Sequence, residues 1–112
     1  MLPLRMLATT AAMSVVVERV APETRRLILV RHGAVNRDGA SPPIKPGAFY
    51  GGNVDVPLSK TGEAEALAAA KYIAANHVAE VQALWSSPMR RALFGARATG
   101  TALAAALPEW QP

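Results

Sequence analysis

The tripeptide Arg31-His32-Gly33 stands at the abrupt end of the apolar run Leu27-Ile28-Leu29-Val30, and it is where this sequence could do chemistry. An imidazole nitrogen can act as nucleophile or base, a glycine lets backbone approach a ligand closely, and a guanidinium offers a planar donor fork matched to phosphate oxygens. A second cluster, Ser86-Ser87-Pro88-Met89-Arg90-Arg91, joins a helix-start signal to two further arginines. Backbone N–H groups and the positive dipole end at such a start favour anions. His32, Gly33, Arg31 and Arg91 therefore describe an oxyanion pocket with a histidine at its base, where the arginines would neutralise a phosphoryl group under attack. Arg-His-Gly by itself is a weak signal, because a histidine at a strand end is often only a hydrogen-bonded structural residue.

The elements that must position these groups follow from periodicity and breakers. Arg25 to Val30 reads as a buried strand, since an unbroken apolar run suits a strand covered on both faces. From Ala34 to Pro57, glycines and prolines from Gly39 to Pro57 forbid a helix or central strand, so the segment is a long loop. Loops of that length in a compact domain are usually functional or disordered. Ser59 can cap a helix from about Lys60 to Asn76 with an apolar face. Val81 to Ser86 reads as a second buried strand, and a second helix carries Met89, Leu93, Ala96, Leu103 and Leu107 until Pro108 stops it. The order strand, loop, helix, strand, helix predicts a right-handed βαβ unit within an open, parallel, three-layer α/β/α sheet. Ligands bind beyond the carboxyl ends of strands in such sheets, which would make the two clusters neighbours. His77, at the end of the first helix, reads as a helix-end residue complementing the dipole.

Composition narrows the classes. One hundred and twelve residues at 51% hydrophobic suit a single globular domain. With no cysteine, thiolate nucleophiles, disulfides and Cys-based metal sites are excluded. Two histidines far apart, with no carboxylates at ligand spacing, call for no metal, and no cofactor is expected. The formal charge of +4 would suit nucleic acid, an anionic membrane surface or small phosphorylated ligands, and charge alone does not choose among them. Nucleic acid is not expected, because the basic residues are scattered and aromatics make up only 5%. Residues 1 to 20 hold Arg5 and Arg19, several Ser and Thr, and no acid before Glu18, the look of a mitochondrial or plastid transit segment. The plainer alternative for residues 1–24 is an N-terminal extension of a cytoplasmic protein. The apolar stretch Ala8 to Val17 is too short to span a membrane, so no membrane partner is expected.

Leu27-Ile28-Leu29-Val30-Arg31-His32-Gly33 closely resembles the signature of the histidine phosphatase superfamily, the phosphoglycerate-mutase-like proteins. Two more blocks agree in order. Asp55-Val56-Pro57-Leu58-Ser59-Lys60-Thr61-Gly62 looks like the segment leading into the family's first helix, and Ser86-Ser87-Pro88-Met89-Arg90-Arg91-Ala92 looks like its second phosphate-binding segment. The resemblance implies a phosphohistidine reaction on a small phosphorylated metabolite, by a phosphatase or a phosphomutase. His32 would be the nucleophile, Arg31 and Arg91 the phosphate-binding arginines, and Arg90 a solvent-facing neighbour. Asn36 matches a polar residue the family places after the histidine, at altered spacing. Gly51-Gly52-Asn53 stands where relatives line the pocket mouth, or is a plain tight turn. Gly95 takes a place where relatives carry threonine, a change expected to act on helix packing. The family's general acid and second histidine would lie beyond Pro112, and Glu109 belongs to a segment resembling the linker towards that acid. Residues 25–112 are thus expected to be the N-terminal half of a phosphoglycerate-mutase-like domain, apparently truncated. The alternative function is a catalytically inactive anion-binding or interaction module of the same fold. The sequence leaves the oligomeric state open.

Overall fold

The computed structural model describes residues 4–8, 15–19 and 24–111. Near the N-terminus, strands β1 (Leu4–Ala8) and β2 (Val15–Arg19) pair antiparallel, with Leu4 opposite Arg19 and Ala8 opposite Val15. The valine run of β2 is β-branched, which favours an extended backbone. The other residues of the N-terminal extension, where a transit segment was one expectation, lie outside the described residues.

Two helices follow, α1 (Lys60–His77) and α2 (Arg90–Ala106), at the places the sequence indicates. Ser59 caps α1: its backbone is extended and its Oγ accepts from the Gly62 N–H at 3.1 Å. Alanine, leucine, glutamate and lysine then hold the helix with little side-chain entropy lost. Its buried positions Ala70, Ile73 and Ala74 recur at helical spacing and face α2, which packs against it. An added methyl at Gly95 would meet the Ala66 methyl at 3.9 Å, an ordinary van der Waals contact, so the position faces α1 with room for a small side chain. Leu107 ends α2 with its N–H on the Leu103 carbonyl, and Pro108 prevents another turn.

The core lies between the helices and the segment after α1. Ile73, Ala74, Leu103 and Trp110 form its buried centre, with Val78, Val81, Leu84 and Leu107 packed around them. Leu103 is fully buried, a burial that contributes about 1.5–3 kcal/mol. Trp110 satisfies its ring N–H on the Val81 carbonyl at 2.9 Å, which draws the chain after α2 back onto the segment after α1.

The expected open parallel sheet is not what the chain forms. Neither Arg25–Val30 nor Val81–Ser86 is a strand, and the paired strands among the described residues are the antiparallel β1 and β2 alone. The fold class read from the sequence, a three-layer α/β/α sheet with a βαβ unit, is therefore overturned. A parallel pair depends on a ladder formed across a long crossover, and an apolar run specifies only what could be buried, not what it pairs with. Here the helices bury their apolar faces against each other and against Val78, Val81 and Leu84. Leu27, Leu29 and Trp85 stay 79%, 88% and 93% exposed, so neither run is covered on both faces: the first is exposed along its length, and the second is covered only at Val81 and Leu84.

The loop between the first motif and α1 is long, as expected, but well tied. A single antiparallel bridge joins Val35 to Leu58, with Asn36 N–H on the Pro57 carbonyl at 2.8 Å and Ser59 N–H on the Ala34 carbonyl at 2.9 Å. Inside it lie a one-turn helix, Arg37–Gly39, and a turn at Gly47, whose φ of +76° a side-chain-bearing residue rarely adopts. Val56 and Leu58 are buried and anchor its return.

Candidate active site

His32 is half-buried at the start of this loop, and its Nδ1 lies 2.8 Å from the Gly33 carbonyl oxygen. A carbonyl can only accept, so Nδ1 must carry the proton, and in the neutral ring Nε2 keeps the lone pair. A nucleophilic imidazole needs that tautomer and a fixed ring.

Gly33 has a use that the sequence did not disclose. It crosses the first turn of α1, where a Cβ would stand 3.0 Å from the Gly62 Cα and carbonyl oxygen and 2.9 Å from Glu65 Oε1. Gly62 in turn has no room for a Cβ beneath the Ala34 carbonyl. Two glycines thus let the His32 loop lie directly on the helix. The Ala34 N–H donates to Glu65 Oε1 at 3.0 Å, and Ser59 Oγ donates to the Ala34 carbonyl at 3.2 Å. Gly33 serves close backbone packing here, whatever else it admits.

Asn36 caps the one-turn helix, its Oδ1 accepting from the Asp38 N–H at 3.1 Å. Arg31 is exposed. Arg91 is 9% exposed, with Nη1 donating to the Val54 carbonyl at 2.5 Å and Nη2 to the Gly52 carbonyl at 3.3 Å. Gly51 to Val54 is a tight turn, closed by the Val54 N–H on the Gly51 carbonyl, and it wraps this guanidinium. Arg90 is exposed, as expected, yet anchored: its Nε and backbone N–H donate to the two Asp55 carboxylate oxygens at 3.0 and 2.7 Å. Asp55 therefore occupies the anion-favouring start of α2, the place the sequence offered to a phosphate. The Ser87 Oγ accepts from the Met89 N–H nearby.

Two clusters result, one at each helix start. His32, Gly33, Ser59, Gly62 and Glu65 gather at α1, and Arg91, Arg90, Asp55 and Tyr50 gather at α2. Asp55 and Ser59 are four residues apart in the chain, so these anchors stand no more than about 14 Å from each other. His77 is elsewhere, at the last position of α1, 3.4 Å from Glu80 and packed on Tyr72. A groove of about 1030 Å³ runs between the helices past Leu67, Leu93 and Phe94, and His32, Arg31 and Arg91 do not line it. Tyr50 and Glu65 have no role in the sequence reading, and Asp55 enters it only as part of the segment leading into α1. Their partners are 35 or more residues away for Asp55 and 31 away for Glu65, so only a three-dimensional arrangement exposes them.

The Asp55 carboxyl is held below its ordinary value of 3.8, first by the Arg90 backbone N–H; desolvation, the next largest influence, opposes this, and the Arg90 side-chain hydrogen bond and the charges of Arg90 and Arg91 add to the lowering. A lowered folded value means that this cap stabilises the α2 start above the ordinary value and is lost as pH falls through the lower folded one. Far-ultraviolet circular dichroism followed downwards from pH 3.8 should show helix loss in the parent chain and a flatter profile in Asp55→Asn.

The family model of the histidine phosphatase superfamily (branch 1) matches residues 27–111, a span that takes in both clusters and both helices. The chain belongs to the histidine phosphatase superfamily. That membership supports phosphoryl transfer in general. No curated protein and no solved structure matches the chain. No helix among the described residues is long and apolar enough to cross a membrane.

Proposed function

We propose that the chain carries out phosphoryl transfer on a small phosphorylated metabolite through a phosphohistidine at His32. The observation that carries this reading is the 2.8 Å contact of Nδ1 with the Gly33 carbonyl, which leaves Nε2 as the nucleophilic nitrogen. Nε2 attacks phosphorus, the P–N bond forms, the ester P–O bond breaks, and the departing alkoxide takes a proton from solvent water. Attack of an acceptor oxygen on the phosphohistidine then returns the imidazole. A phosphatase uses water as that acceptor and a mutase uses a substrate hydroxyl, so both share the first step. Arg31 and Arg91 would carry the phosphoryl charge, the dominant contribution to catalysis of this kind. The guanidinium fork of Arg91 has five N–H donors, and the loop carbonyls take up only part of them.

The test is to incubate the chain with a phosphomonoester, quench in alkali and map phosphate by mass spectrometry. Acid-labile, alkali-stable phosphate on His32 is the expected result. A stably anion-bound chain that never acquires it would favour the inactive anion-binding module instead.

A further inference from the structure

Tyr50 is the one aromatic ring drawn into the α2 cluster among the described residues, and it carries two guanidinium groups. Arg91 Cζ lies over its ring at 5.5 Å from the centroid, and Arg37 Cζ lies over it at the same distance. The loop that presents Tyr50 also holds the edges of both cations. Gly52 and Val54 accept from Arg91, while Ala48 accepts from Arg37 Nη1 at 2.5 Å. Arg91 is thus held by two neutral carbonyls on its terminal nitrogens and has the π-system of Tyr50 5.5 Å from its central carbon.

The burial of Arg91 decides which of these contacts matters for binding. A buried guanidinium has lost most of its hydration, and the carbonyls that replace it carry only partial charge. The negative face of an aromatic ring attracts a cation more strongly once water is excluded. It also leaves the in-plane N–H donors open to an incoming oxyanion, whereas a carboxylate partner would neutralise the charge and block them.

We infer that Tyr50 is a positioning residue for anion binding, holding the Arg91 guanidinium in place for a phosphoryl group. This rests on Arg91 being a phosphate-binding arginine, as proposed above. Arg37 lies over the same ring and its hydrogen bond to Ala48 ties the one-turn helix to the Tyr50 loop, so the ring adds to contacts that already join the one-turn helix, this loop and α2.

The test is calorimetric titration of inorganic phosphate into the full 112-residue chain. Position 50 is varied as Tyr50→Phe, then as a trifluorinated phenylalanine that keeps the ring's shape but cancels its negative face, with Arg91→Met alongside. Tyr50→Phe should bind within about twofold of the parent, and the fluorinated ring should weaken binding by about 2- to 30-fold. Because the two rings have the same shape, a role in folding alone would not separate them. Equal affinity for the two rings, with Arg91→Met still weakening binding, overturns the Tyr50 role and leaves the phosphate role of Arg91 standing. Undiminished affinity in Arg91→Met removes both.

Discussion

Replacing His32 by alanine is expected to lower phosphomonoester turnover by at least about a thousandfold and to abolish the acid-labile phosphate on the chain. Removing a covalent nucleophile deletes the intermediate itself, and the remaining arginines can only bind the anion. His77→Ala is the matched control, because His77 lies at the far end of α1 with Glu80 and Tyr72 as its neighbours. Its turnover should stay within about twofold of the parent, on the scale of a surface substitution away from the site. Stopped assays with a chromogenic phosphomonoester measure both variants. Turnover that persists in His32→Ala would sink the phosphohistidine route whatever the fate of the anion site.

The second large effect is on stability. Gly62→Ala should destabilise the chain by about 3 kcal/mol, read as a lowered denaturant midpoint. The sign is informative, since alanine in place of glycine within a helix ordinarily gains up to about 1 kcal/mol. Here the new methyl would overlap the Ala34 carbonyl oxygen and approach the Ala34 carbonyl carbon and nitrogen to 2.9 Å. Ala34 cannot retreat freely, because its carbonyl accepts from the Ser59 N–H and hydroxyl and its N–H donates to Glu65. Either those bonds break or the His32 loop lifts from α1. A midpoint at or above that of the parent would mean that the loop does not rest on the helix.

Both helices were legible in the sequence because their signals are local. The Ser59 hydroxyl, the Ala-Leu-Glu-Lys run and the Pro108 stop each act within a few residues of their effect. The sheet was misread because strand pairing is a relation between distant segments. Leu27-Ile28-Leu29-Val30 states that it is apolar but not what, if anything, lies beside it. The candidate site divides in the same way. Arg91 stands out as an arginine at a helix start, while its carbonyl partners at Gly52 and Val54 and its ring partner at Tyr50 lie some 40 residues earlier. Asn36 caps a turn through its Oδ1, a local task that asparagine performs well and that its place before Arg37-Asp38-Gly39 makes readable. The Gly33–Gly62 crossing was hidden because neither glycine has a side chain to announce a contact.

The Val35–Leu58 bridge closes residues 36–57 at the neck, so the lobe between is a separate excursion whose two ends are fixed to each other. Lengthening such a lobe costs mainly closure entropy, about 0.6 kcal/mol for each doubling. The added chain does not pull on Ala34, which is already fastened to Ser59 and Glu65. Evolution can therefore rewrite the tip around Ser41 to Gly47 as an exchangeable cassette, while the His32 loop keeps its place on the first turn of a helix.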